Sequence, residues 1–163
     1  MARPAGSSVK KRGFLPCVGS QPMGASVLVP VHSRYLIDLN RASDNRPMYP
    51  GQNNTELCPT RHITGEPRYR EGQAPDEAEV RRRVFAYWQP YHQALQEELA
   101  RLRSAHGHAV LLDAHSIKSE LPWLFEGTLP HMNIGTVGGS SRGSGGKELE
   151  GLRGGHVNLR VYP

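Results

Sequence analysis

PDEAEVRRRVFAYWQPYHQALQEELARLRSAHGHAVLLDAHS, residues 75–116, decides the fold. Asp76 followed by Glu79 makes an aspartate version of a capping box, so a helix is expected to begin after Asp76. Val80, Val84, Trp88, Tyr91, Leu95, Leu99 and Leu102 then recur at helical steps and form one apolar face over many turns. The plainest use of such a stripe is packing on a core. Pro90 sits inside the pattern and predicts a kink, because proline removes one backbone bond and crowds the preceding turn. Gly107 ends the helix. HAVLLDAHS (108–116) follows as a strand, apolar from Ala109 to Leu112 and abruptly polar from Asp113.

Upstream, ASVLVPVHS (25–33) is a β-branched run bounded by Gly24, which predicts a buried strand that must bulge or end at Pro30. RYLIDLNR (34–41) predicts a second extended piece. Residues 42–73 show no periodicity, and an ordered loop of that length is often functional. A long helix between apolar strands argues for an α/β layer fold with a largely parallel sheet. In open α/β sheets ligands gather outside the carboxyl ends of the strands. RYLIDLNR and Asp113-Ala114-His115-Ser116 both fall at strand ends, so the two polar clusters are expected to converge.

Composition sets the boundaries. At 163 residues with only 37% hydrophobic content, and with 18 Gly and 13 Pro, the glycines densest towards the two ends, the chain suggests a folded centre with irregular flanks. We divide it into an irregular lead (1–24), an α/β domain (25–141) and a Gly-rich tail (142–163). The net charge of +5 owes much to Lys10–Arg12 and Arg81–Arg83. A basic surface can steer anionic ligands, nucleic acid included, but no nucleic-acid fold signature accompanies these clusters, which favours a solvated basic face. Cys17 and Cys58 have neither metal spacing nor the numbers for a disulfide framework. No apolar run approaches the ~18 residues of a membrane span, and no signal-peptide core is present. A reduced, cytoplasmic protein with no membrane partner is the expectation.

Two clusters carry chemistry. On a continuing strand Asp113 and His115 point to the same face. A strand-end histidine can ligate zinc while a nearby carboxylate orients its ring, although on spacing alone a structural or surface histidine is the commoner reading. In RYLIDLNR, extended geometry puts Arg34, Leu36, Asp38 and Asn40 on one face and Tyr35, Ile37, Leu39 and Arg41 on the other. Arg34 and Arg41 can serve one ligand only if the chain bends before Arg41. Their planar forks match a carboxylate, and the Asn40 amide can add a donor. Pairing with local acids such as Asp38 and Asp44 is the competing reading. His32, His62, His131 and Glu126 lack ligand spacing. TVGGSSRGSGGK (136–147) lacks the ending of a phosphate-binding loop and reads as linker.

VLVPVHSRYLIDLNR, MYPGQ, LCPT, GEPRYREG, YWQPYH and LLDAHSIKSELPWLFEGTLPHMNIGT occur in this order. Over about residues 24–141 the chain resembles the N-formylglutamate amidohydrolase family. The resemblance implies a partial three-layer α/β sandwich with a mostly parallel sheet, similar to zinc carboxypeptidases and aspartoacylases (phosphorylase/hydrolase-like). It implies zinc-dependent hydrolysis of N-formyl-L-glutamate, a small anionic substrate, to formate and glutamate in histidine degradation. Residue by residue it implies His115 as a zinc ligand with Asp113 beside it, Asn40 and Arg41 gripping a substrate carboxylate, and Arg34 polarising the scissile carbonyl.

The ends depart from the family pattern, which supplies a histidine and an acidic ligand well upstream and a glutamate base near the C-terminus. Residues 1–24 contain no histidine or acid. PCVGSQP (16–22) is similar to a proline-flanked metal-histidine loop, with Cys17 in the histidine's place. Glu148 and Glu150 are acids in a tail that does not follow the pattern. A truncated relative with impaired zinc binding is therefore one expectation. The rivals are a non-catalytic binder of an acidic metabolite through Arg34, Asn40 and Arg41, and a basic nucleic-acid binder using Lys10–Arg12 and Arg81–Arg83.

Overall fold

The computed structural model describes residues 24–47, 50–129, 132–135 and 155–162, the last two stretches as backbone strands. Lys10–Arg12, the Cys17 loop, His131, the 136–147 linker, Glu148 and Glu150 lie outside the described residues. The protein is mixed helix and strand. Its helical segment comprises α1 (Glu77–Arg83), a π-helical stretch (Val84–Trp88) and α2 (Gln89–His106), and the strands are β1 (Ala109–His115), β2 (Met132–Gly135) and β3 (Gly155–Tyr162). Two compact units interleave in sequence. The first takes its described residues from the stretch ending at Arg46, from Glu56–Pro59 and from Pro75–Leu95. The second takes them from Pro47–Thr55, Thr60–Ala74 and the stretch beginning at Gln96.

The helix begins where its cap chemistry places it. Asp76 is extended at the N-cap and its Oδ1 accepts the Glu79 N–H at 2.8 Å, satisfying one donor that the first turn leaves orphaned. Acids at Glu77 and Glu79 stand in the first turn, as the helix dipole favours. Each arginine of the 81–83 run has a carboxylate on its own helix: Arg81 with Glu77 at 2.5 Å, and Arg82 and Arg83 with Glu79 at 2.6 and 2.8 Å. The basic run is thus locally paired, as a solvated face requires. Hydrogen bonds from Arg82 and Arg83 hold the Glu79 carboxyl down at about 2.

Pro90 disturbs the helix in a specific form. Its nitrogen has no hydrogen to give to Ala86, and the turn before it widens, with Gln89 N–H reaching back to Val84 O. The helix continues to His106 and stops at Gly107, whose φ of 80° suits a residue without a Cβ and whose N–H bonds Arg103 O at 2.8 Å. The apolar stripe does what a stripe normally does. In the first unit Val80, Val84, Tyr87 and Trp88 pack against the buried cluster of Ile37, Leu57 and Cys58. Burial of a side chain such as Leu57 contributes roughly 1.5–3 kcal/mol.

Two strand expectations are corrected. Residues 25–33 form no strand and are largely exposed. RYLIDLNR is not extended either: it folds through two tight turns, closed by Leu36 N–H to Ser33 O at 2.9 Å and Arg41 N–H to Asp38 O at 3.0 Å. Consecutive Ile37 and Asp38 are both buried, which strand alternation against one layer forbids. The apolar residues here come too close to turn formers and Pro30 for a ladder to extend.

The second unit holds the sheet, in the order β1-β3-β2. β1 runs antiparallel to β3, with Asp113 opposite Asn158, and β2 runs parallel to β3. The described sheet is therefore mixed rather than mostly parallel. The antiparallel partner comes from the tail, where HVNLRVY (156–162) alternates polar and apolar residues with the period of a strand. In the same unit Gly65 (φ 103°) lies against the Trp123 indole, where an added Cβ would meet Cδ1 at 2.7 Å. Asn53 Nδ2 donates to Trp123 O at 2.6 Å. Residues 50–74 are irregular, as their composition implies, apart from a single antiparallel bridge between Arg61 and Pro67.

Replacing Asp76 with alanine removes the cap and should lower unfolding free energy by about 1 kcal/mol, read as a lower urea midpoint with an unchanged slope. An unchanged midpoint would contradict the cap.

Candidate functional site

Asp38 is the centre of the first unit's polar cluster. It is 3% exposed and surrounded by donors. Arg34 Nη2 reaches its Oδ2 at 2.6 Å, and Arg41 Nε approaches the same oxygen at 4.0 Å. Asn40 N–H donates to Oδ1 at 3.1 Å. The bend before Arg41 is present, and it brings the two guanidinium groups to one carboxylate. Local pairing thus operates for Arg34, and the bend on which service to one ligand depends is there as well. The Arg34 side chain is 44% exposed, whereas that of Arg41 is 14% exposed.

The loop that carries this cluster has no strand ladder, so its backbone polar groups need other partners. The helical segment supplies three. Arg83 Nη1 donates to Leu36 O at 2.9 Å, Trp88 Nε1 to Arg41 O at 2.8 Å, and His92 Nε2 meets Leu39 O at 2.9 Å. In an ideal α-helix residues 83 and 88 would lie about 140° apart around the axis. The π-helical turn brings residues five apart closer to one face, so the distortion before Pro90 helps both side chains reach the loop. His92 stacks on Trp88 with centroids 3.9 Å apart. Burial pushes its pKa below the ordinary value, against the bond to Leu39 O. The neutral ring with its proton on Nε2 suits that carbonyl.

Leu57 ties the cluster to the core. Its carbonyl accepts the Asp38 N–H at 2.7 Å, and its own N–H donates to Asn45 Oδ1 at 2.7 Å. Asn45 takes a left-handed backbone, φ 57°, which asparagine tolerates better than most residues. Cys58 next to it is a free, buried thiol; burial raises its pKa, with Arg83 opposing.

Asp113 and His115 belong to the second unit. The strand continues to His115, both side chains lie on the more covered face of β1, and His115 Nε2 is 2.9 Å from Asp113 Oδ1. A carboxylate in that position fixes an imidazole's orientation. A catalytic zinc needs about three protein ligands and an open position. Among the described residues no group of three or more His, Cys, Asp or Glu side chains could hold a metal. The described residues therefore do not fit a complete zinc site, and no catalytic step through zinc follows from them. His32 instead packs edge-on against Tyr87.

Sequence reasoning placed Arg34, Asn40 and Arg41 together but did not single out Asp38, Trp88 or His92 as their supports. The signal available was an aspartate flanked by arginines at −4 and +3, which reads as a ring of cations only once the chain is bent.

The match to known proteins follows the same residues. The model of the N-formylglutamate amidohydrolase family matches residues 17–150. The chain belongs to this family. It is similar to the N-formylglutamate deformylase of Pseudomonas aeruginosa, 48% identical over 122 residues, which cover 75% of this chain and 46% of the relative. It is also similar to that of Pseudomonas putida, 47% identical over 122 residues, which cover 75% of this chain and 45% of the relative. The chain spans about half the length of the curated relatives it matches. No solved structure matches it. Among the described residues no helix is long and apolar enough to cross a membrane.

Trp88→Phe removes the donor to Arg41 O and should cost roughly 1–3 kcal/mol, since a partly buried carbonyl loses its partner. Chemical denaturation checks the loss. Stability equal to that of the parent would mean the Trp88 bond does not hold the loop.

Proposed function

We propose that this protein serves the hydrolysis of the N-formyl amide of N-formyl-L-glutamate to formate and glutamate, with Arg34, Asn40 and Arg41 receiving the anionic substrate. The observation that carries this reading is the folded-back RYLIDLNR segment, which gathers two arginines at Asp38 Oδ2 within a chain of the N-formylglutamate amidohydrolase family. An arginine fork binds a carboxylate through two parallel hydrogen bonds, and partial burial strengthens the attraction. In this reading Arg41 and the Asn40 amide grip a substrate carboxylate. Arg34, the more exposed of the two arginines, faces the charge that develops on the scissile carbonyl oxygen.

The same reading calls for zinc, with His115 as one ligand oriented by Asp113. The complete domain would be the three-layer α/β sandwich with a mostly parallel sheet that the family resemblance implies. It carries with it a cytoplasmic reaction on a small anionic metabolite. A non-catalytic binder of acidic metabolites is the second reading, because the arginine cluster is assembled around Asp38 by protein groups alone.

Two measurements separate the readings. Formate release from N-formyl-L-glutamate, measured with and without added zinc, supports hydrolysis. Binding of glutarate, a dicarboxylate with no amide, in a chain that releases no formate supports the binder. In either case Arg41→Ala should weaken glutarate binding by about tenfold or more, and unchanged affinity would sink the carboxylate assignment. Zinc titration of metal-free protein should show a site that His115→Ala weakens at least about tenfold. Equal zinc binding in the two proteins would remove His115 from the metal.

A further inference from the structure

We propose that Asp38 is a positioning residue whose buried carboxylate sets the spacing and orientation of Arg34 and Arg41 for a dicarboxylate ligand. This inference rests on the reading of Arg34, Asn40 and Arg41 as the anion-binding site and extends it to a residue that does not itself touch the ligand. An aspartate beside an anion site is at first sight misplaced, because its charge repels the ligand and competes for the arginines. Its surroundings account for it.

Asp38 is held on every side by the loop it organises. Its N–H bonds Leu57 O at 2.7 Å, and its carbonyl accepts the Arg41 N–H at 3.0 Å to close the turn. Its Oδ1 takes the Asn40 N–H, and its Oδ2 takes Arg34 at 2.6 Å with Arg41 Nε at 4.0 Å. The carboxylate therefore lies between two like charges that would otherwise repel each other. The guanidinium fork carries five N–H groups, so the contact with Asp38 occupies only part of it, and Arg41 Nη1 also donates to Asn40 O at 3.5 Å. Setting both cations in advance lowers the conformational cost of binding a ligand that must engage them together. Arg83, Trp88 and His92 hold the carbonyls on either side, so the carboxylate works from a fixed backbone.

The sign of the effect separates positioning from simple electrostatics. Asp38→Asn removes a negative charge from an anion site, so an electrostatic view expects tighter glutarate binding. Positioning expects the reverse: weaker glutarate binding by about tenfold or more, with less loss for butyrate, which carries one carboxylate. Asp38→Glu keeps the charge and displaces it by one methylene, and positioning expects it to weaken glutarate as well. The measurement is calorimetric titration of the full chain with glutarate and with butyrate, alongside circular dichroism and urea unfolding.

Folded Asp38→Asn that binds glutarate as well as or better than the parent overturns the proposal. So does an equal loss for glutarate and butyrate, which marks general damage to the site. If both variants fail to fold, Asp38 is a folding residue and the positioning role is overturned. Arg41→Ala keeps the two failures apart. Loss of binding in Arg41→Ala with none in Asp38→Asn rejects only the positioning role. Glutarate binding that Arg41→Ala leaves intact, or no binding by the parent chain, rejects the anion site and the inference with it.

Discussion

A loop folded against a core has to give every buried carbonyl a donor, and here the helix provides them. Arg83, Trp88 and His92 bond the carbonyls of Leu36, Arg41 and Leu39. Without them, RYLIDLNR would carry unsatisfied acceptors beside the Ile37-Leu57-Cys58 cluster, each costing about 1–3 kcal/mol. The polar cluster inherits its geometry from that constraint. The helix in turn depends on its own local chemistry, the Asp76 cap at one end and Gly107 at the other. Between them the widened turn before Pro90 favours the face on which Arg83 and Trp88 act.

How much of this the sequence discloses depends on the range of the forces involved. The helix is legible because its signals are local: Asp76 with Glu79, the stripe from Val80 to Leu102, Pro90 and Gly107. β1 is legible for the same reason, as a short apolar run that turns polar at Asp113. The two-turn fold of RYLIDLNR is not legible, because alternation of apolar and polar residues suggests a strand. What overrides it is a backbone bond to Leu57 and the donors from a helix some fifty positions away. Residues 25–33 fail in the same direction: β-branched composition is a weak preference that context overrides. β3 was hidden by its glycine-rich approach, although HVNLRVY itself alternates regularly.

The candidate site divides along the same line. Arg34, Asn40 and Arg41 stand out in sequence because charged groups interrupt an apolar run, and the structure gathers them. Asp38 is harder to read, since an aspartate between arginines looks like ordinary local pairing. Only its burial, with donors on both oxygens, separates an organising carboxylate from a surface ion pair. For Asp113 and His115, strand periodicity alone was enough to put both on one face.

Arg83 has one further consequence. A single guanidinium bonds Glu79 in the first helical turns through Nε and Leu36 O in the loop through Nη1. Fraying of the helix start and lifting of the loop are then not separate motions. When the first turn opens, Arg83 loses its carboxylate anchor and the Leu36 carbonyl loses its fixed donor, so both should exchange their amide hydrogens as one cooperative unit. The order of the RYLIDLNR loop is in this way linked to ionic strength, through a carboxylate that lies outside it.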